Sequence, residues 1–396
     1  MAAGRTGTVV ALGLAQTLAW ASTYYLPAIL AAPMARDLGL SVPTVFAAFS
    51  VAMVVSAVVG PRAGAAIDRL GGRPVLMGTN VVFALGLAGL GLAQGPVGML
   101  VAWLVMGLGM GSGLYEAAFA TLVRLYGSDA RRSITGITLI AGFASTVGWP
   151  LSAWLEARYG WREACLAWAG LHLVLGLPLN AWLPRVAVAA APSAGDAPAA
   201  AAPAPEAPTA SPSLGPVLVL SFVFAATWFI STAMATHLPG LMQAAGATAA
   251  TAILVGSLIG PSQVAARLLE FSLLNKLHPL LSARLATAMH PLGAVLLLLA
   301  GPWVAPAFGV LHGGGNGILT IAKGTLPLAL FGPQGYGRRQ GLLMAPARVA
   351  QAMAPWLFGL VLERWGAGAL WFSAGLGAAA LLALFGLSAH VKPRAA

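Results

Sequence analysis

Three cations stand where a lipid-spanning chain tolerates charge least. Arg267, Lys323 and Arg348 each fall inside a long apolar stretch rather than at its edge. A charge at mid-membrane costs roughly 3 kcal/mol or more unless it meets a partner or a wet cavity, so each marks a functional position. The sharpest pattern surrounds Lys323: His312-Gly313-Gly314-Gly315-Asn316-Gly317, then Thr320 and Lys323. His312, Asn316 and Lys323 are separated by 4 and 7 positions, which puts them on one helical face. The four glycines are able to break or thin the helix and expose backbone polar groups to a cavity. The competing reading is a Lys323 that snorkels to the interface beside a structural Asn316. With no strand ahead of it and no Gly-Lys-Ser/Thr ending, the stretch is not a nucleotide loop.

Arg267 lies in Gln263-Val-Ala-Ala-Arg267-Leu-Leu-Glu270. Its planar fork suits a carboxylate ligand, or it pairs with Glu270 at i, i+3. Arg348, with Gln351, is expected about two turns from a helix end, facing either a cavity or the interface. Glu116 closes a Gly-rich run, Gly107-Leu-Gly109-Met-Gly111-Ser-Gly113-Leu-Tyr115-Glu116. It either carries a proton or pairs with a cation, the competing reading being a structural Glu tied to Arg124 or to a helix N-terminus. His237, just before Leu238-Pro239, is a proton carrier or a hydrogen-bonded structural residue. His290 reads as packing. No Ser–His–Asp set, HExxH or P-loop emerges, and the single Cys excludes a disulfide framework and Cys-based metal sites. The chain therefore reads as a non-enzyme with no cofactor and no metal.

The elements that position these residues follow from composition. Of 396 residues, 59% are hydrophobic and 8% charged, against about 45–50% and about 25% in soluble domains. A membrane helix needs about 20 apolar residues. Apolar runs separated by Pro, Gly or charge predict spans at 8–33, 43–66, 75–94, 97–121, 133–155, 163–183, 216–240, 250–275, 284–301, 303–329, 340–362 and 367–389. Continuous rather than alternating apolar character argues against a β-barrel. The stretch 186–215 differs from all of these: 13 of its 30 residues are Ala and 6 are Pro. Repeated Pro prevents a helix and favours an extended connector. The expected organisation is a six-helix bundle (1–185), a cytoplasmic linker (186–215) and a second six-helix bundle (216–396).

The net charge of +11 resolves once the charges are placed. With both termini cytoplasmic, 14 of the 21 Lys and Arg residues fall on the cytoplasmic side, 4 on the other (Arg36, Arg158, Arg162 and Arg364), and 3 inside spans. That is a positive-inside pattern. Without a single basic stripe, nucleic-acid binding is excluded. Arg outnumbers Lys 18 to 3, and with abundant Ala and Gly this points to a GC-rich bacterial genome and an inner-membrane location.

After the second span the chain reads Gly64-Ala-Ala-Ile-Asp68-Arg69-Leu-Gly71-Gly72-Arg73-Pro74. This resembles the signature loop of the major facilitator superfamily, G-x-x-x-D-[RK]-x-G-x-[RK]-[RK], with Pro74 departing at the last position. The resemblance implies twelve transmembrane helices in two pseudo-symmetric six-helix halves and transport by alternating access. It also implies gating roles for Gly64, Asp68, Arg69 and Arg73, which latch helices 2 and 11. Tyr24 and Tyr25 then face the central cavity, since helix 1 lines it in the family; interface aromatics are the competing reading. The Gly136…Gly142…Gly148-Trp149-Pro150 pattern and the Gly160-Trp161-Arg162 turn also resemble the family. Trp103 stands where many proton-coupled efflux members carry Arg. Together with Arg267, the Gly-rich fourth span and the Gly-Trp-Arg turn resemble the monocarboxylate/oxalate–formate porter branch, although Gln263 replaces its acidic residue.

The expected function is secondary transport of a small organic anion, coupled to a proton or a counter-solute. Arg267, Lys323, Asn316, His312, Arg348, Tyr24 and Tyr25 would bind the solute, and Glu116 and His237 would handle protons. The partners are the solute, protons or a counter-solute, and lipid, with a monomeric protein. Drug or amphiphile efflux is the first alternative and predicts dependence on Glu116. A non-transporting sensor or scaffold is the second, and it would not need aligned polar groups near Lys323.

Overall fold

The computed structural model describes residues 4–185, 214–273 and 277–387. Most of the expected connector, 186–213, therefore lies outside the described residues, as do Lys276, Lys392 and Arg394. Leu214 and Gly215 already belong to a helix.

All regular structure in the described residues is helical, because apolar surroundings leave each backbone group to find its partner within its own helix. The first crossing is α1 (Arg5–Ser22) and α2 (Leu26–Asp37), broken at Thr23–Tyr25. The second and third are α3 (Val42–Leu70) and α4 (Gly72–Leu92), joined through Gly71, whose φ of 82° only glycine adopts readily. The fourth is α5 (Pro96–Gly113) and α6 (Tyr115–Tyr126), broken at Leu114. The fifth is α7 (Arg131–Ala141) and α8 (Ala144–Tyr159). The sixth runs from α9 (Trp161–Leu171) through a π-helical turn at His172–Gly176 into α10 (Leu177–Ala181).

The second half holds α11 (Leu214–Ala244), α12 (Ala249–Ser272), α13 (Pro279–Ala300), α14 (Ala305–Phe331), α15 (Tyr336–Trp365) and α16 (Ala369–Gly386). Prolines in the first turn of α3, α5 and α13 start helices without losing a hydrogen bond. The twelve crossings form two six-helix halves. One hydrophobic core runs through the first half and takes in Leu328 and Tyr336 of the second, and others lie within the second half. Leu85, Val58, Leu299 and Leu382 are left on the outer surface, where lipid is the natural solvent.

One expectation is corrected. The glycine run 313–317 does not break its helix; α14 continues through it. A Cβ at Gly313 would lie 2.7 Å from the Ile259 carbonyl oxygen, and one at Gly315 2.6 Å from that of Ala286. The glycines instead let α12 and α13 press directly against α14. The breaks fall in the first half, within the first, fourth and fifth crossings.

Candidate functional site

The breaks in α1–α2 and α5–α6 bring polar side chains to the centre of the molecule. Because α6 begins at Tyr115, Glu116 lies in its first turn, where the helix dipole favours an anion. Arg348 of α15 reaches it from the other half. Its Nη2 donates to both Glu116 oxygens, at 3.0 and 2.8 Å, and its Nη1 donates to Gln351 Oε1 at 3.1 Å. Gln351 Nε2 in turn donates to the Tyr24 hydroxyl at 2.9 Å. One chain of bonds thus runs from α6 through α15 to the break after α1.

Aromatic rings wall this chain. Trp20 and Trp228 lie parallel, 3° apart in plane with centroids 6.4 Å apart. Lys323 Nζ sits 3.9 Å above the Trp228 ring, and the Arg348 guanidinium is 5.4 Å from it. Tyr24, Tyr25 and Tyr115 pack around Trp20. Among the described residues no carboxylate pairs with Lys323, which is 3% exposed. The indole N–H groups of Trp20 and Trp228 are buried without a hydrogen-bond partner. Buried polar groups are almost always satisfied, so two orphan donors beside two cations suit a ligand rich in acceptors.

A second set of contacts closes one end of the molecule, the end at which both halves start and finish. Asp68, at the end of α3, accepts the backbone N–H groups of Gly337 and Arg338 at 2.9 Å each. These are orphan donors in the first turn of α15, so a carboxylate of one half caps a helix of the other. Gly64 permits the approach, since a Cβ there would collide with the Gly337 carbonyl. Arg69 is exposed, and Arg73 donates to the Leu183 carbonyl within its own half at 3.4 Å.

Arg267 also crosses between the halves. It donates to the Thr138 carbonyl at 3.4 Å and to Gln263 Oε1 at 3.2 Å. Thr138 belongs to the last turn of α7, where a cation is favourable, and Gly142 leaves the space that the guanidinium fills. Glu270 does not pair with Arg267. Its partner is Arg131 of the first half, at 3.0 Å, because Glu270 projects toward α7 across the interface. At the opposite end the named bonds stay inside one half: Arg162 to Asp37 at 2.8 Å, and His237 to the Pro355 carbonyl at 2.7 Å.

The profile of the Major Facilitator Superfamily matches residues 12–308. The chain belongs to this superfamily. A relative from Thermoproteus tenax, described as an uncharacterized 38 kDa protein in the 23S RNA operon, is 30% identical over 360 residues, covering 90% of this chain and 88% of that one. A gallate transporter from Pseudomonas putida is 33% identical over 156 residues, 39% of this chain and 34% of that one. Among solved structures, the proton:xylose symporter XylE aligns with a TM-score of 0.73 at 13% identity, covering 97% of this chain and 96% of that one. The facilitator fold is thus shared over nearly the whole length, and the protein is a transporter rather than an enzyme.

In this facilitator the candidate residues divide into separate groups. Lys323, Arg348, Glu116 and Tyr24 share the central cluster, with Tyr25 beside it. His312 and Asn316 line a separate small cavity between α11, α13, α14 and α16. They share a helical face with Lys323 but lie two to three turns along it. Trp20 and Trp228 were not singled out by sequence reasoning, because nothing local distinguishes them among twelve Trp residues. Arg131 looked like an ordinary loop charge. His172 escaped as well: its ring bonds Ser22 Oγ at 2.8 Å and Asn80 Oδ1 at 2.9 Å deep in the first half.

Proposed function

We propose that this facilitator moves a small organic anion, an aromatic carboxylate, by alternating access, coupled to a proton or a counter-solute. The observation that carries the reading is the pair of cations, Lys323 and Arg348, held against the parallel indoles of Trp20 and Trp228 with both N–H groups unpaired. Cations fix a carboxylate, indole faces stack on a ring, and the N–H groups take ring hydroxyls. Among the described residues, Glu116 is the only carboxylate engaged there. Protonating it would release the Arg348 fork for the carboxylate of the solute, which makes exchange of one anion for another a natural step. The partial likeness to a gallate transporter supports the same solute class, since gallate is a hydroxylated aromatic acid.

The inter-half bonds named above run from the molecular centre to the end where α1 begins and α16 finishes, whereas those at the opposite end stay inside a half. Together with the 14-to-4 placement of cations, this supports a state closed to the cytoplasm, with both termini cytoplasmic and the gate built by Gly64, Asp68 and Arg267.

Uptake of radiolabelled gallate into liposomes holding the purified chain tests the reading. Each charge-assisted bond is worth about 1.5–3 kcal/mol, so Lys323→Ala and Arg348→Ala should each lower uptake by about tenfold or more. Unchanged gallate uptake in both variants, or transport of cationic amphiphiles in place of carboxylates, would overturn it.

A further inference from the structure

The second half contains another buried polar site, apart from the central cluster. His290 of α13 and His312 of α14 meet with their Nδ1 atoms 3.0 Å apart. Phe308 holds both rings, stacked on His312 at 5.9 Å and edge-on to His290 at 5.7 Å. The histidines are 7% and 5% exposed.

A neutral imidazole carries one N–H. At this distance one Nδ1 must donate to the other, so the outward Nε2 of the donor ring is bare and that of the acceptor ring is protonated. His290 Nε2 is buried and has no hydrogen-bond partner. The pair borders a cavity of about 20 Å³, lined also by Thr227, Ser231, Thr287 and Asn316. That volume holds about one water and no organic solute. The Thr227 and Thr287 hydroxyls donate to carbonyls of their own helices, Val223 and Ala283, which leaves their lone pairs for a guest. The guest that fits a vacant imidazole nitrogen, one water and a ring of acceptors is a proton.

We infer that the His290–His312 pair, with one water, binds the proton that couples transport in this facilitator; the inference rests on the anion-transport reading above. Protonation adds one H⁺ from solution to the pair, so that His290 donates through Nδ1 to His312 and through Nε2 to the water. No electrons move and no other bond changes. The charges around the pair explain why such a proton would depend on the solute. α11 and α16 contribute no Asp, Glu, Lys or Arg. α13 contributes Arg284, six positions before His290, and α14 contributes Lys323, eleven positions after His312. α12 brings Arg267 and Glu270, both engaged with the first half, and α15 brings Arg348, bound to Glu116. Glu363, the carboxylate of α15, is exposed, and among the described residues no carboxylate faces the pair, so its proton is an uncompensated charge until an anion enters the centre. The two sites share a wall: Trp228 lies between Thr227 and Ser231 on α11, serving the central cluster while its neighbours line the histidine cavity. Anion and proton then favour each other reciprocally, as linkage requires.

The test uses the full chain in liposomes with gallate as probe. Two rates are compared: gallate exchange without a gradient, and accumulation driven by a pH gradient. One coupled proton allows the wild type up to about tenfold accumulation per unit of pH. His290→Gln keeps a hydrogen bond to His312 but takes up no proton. It should exchange gallate and lose accumulation, with the ratio falling to one. His290→Gln that accumulates gallate like the wild type overturns the inference. A wild type that neither exchanges nor accumulates gallate overturns the carboxylate reading alone. The pair is then decided without a solute, by infrared imidazole bands and proton uptake of the detergent-purified chain between about pH 8 and 3, a window wide enough to take in a proton that no anion offsets. A titration lost in His290→Gln supports the site, and an identical titration overturns it. If His290→Gln does not fold, His312→Gln is read the same way.

Discussion

Each half of this facilitator buries a histidine network, and only one of them is complete. In the first half, His172 Nδ1 donates to Asn80 Oδ1, the Asn80 amide donates to the Leu76 carbonyl at 2.8 Å, and the Ser22 hydroxyl meets Nε2. Both ring nitrogens are satisfied, and His172 and Ser22 are fully buried. In the second half, the His290–His312 pair leaves one nitrogen unpaired beside a water-sized space. A satisfied network ties helices together and specifies one packing. An unsatisfied one carries an energetic penalty that a folded protein tolerates where a ligand removes it. The geometry of Ser22, His172 and Asn80 looks like a hydrolase triad, yet closed burial makes it a clamp on α1, α4 and the π-helical turn.

The largest effect that would break this comparison is on stability. Asn80→Leu strands a buried His172 donor and should cost roughly 1–3 kcal/mol, seen as a lowered Tm in detergent. His290→Leu exchanges one unpaired nitrogen for another and should cost less than about 1 kcal/mol. Equal losses in the two variants would erase the distinction between clamp and binding site.

The same contrast sharpens at the interface between halves. Asp68 is fully used there, capping two backbone donors of α15. Asp68→Ala should weaken the closed state by about 1 kcal/mol, moving the population toward the open state about fivefold. Spin-label distances across the end that carries Asp68 would report the shift, and an unchanged distribution would remove Asp68 from the gate. The smallest effect is expected at Arg69, which shares the motif but is exposed. Arg69→Ala should stay within about 0.5 kcal/mol of the wild type in the same measurement.

Much of this was legible in the residues. The twelve spans, the division into halves and the loop around Asp68 follow from apolar run length, composition and one short motif. Glu116, Arg348 and Lys323 each stood out because charge inside an apolar run is costly. Their partners did not stand out. Glu116 and Arg348 are 232 positions apart, and Tyr24 and Gln351 are 327 apart. Arg267 and Glu270, adjacent on one face, invited a local pair, yet each bonds across the interface. The run 313–317 showed its glycines without showing whether they break a helix or admit a neighbour.

The sequence by itself determined how this protein meets its solvent. Lipid asks each helix the same local question, whether about twenty residues in a row are apolar enough, and one chain of letters answers it. It also determined which positions violate that demand. Only the tertiary structure decided what satisfies the violators, because helical phase places a side chain within a few degrees of arc while the partner is chosen by how two separately folded bundles lean together. A rise of about three turns along α14 separates Lys323 at the centre from His312 in its own pocket, and no local pattern distinguishes the two.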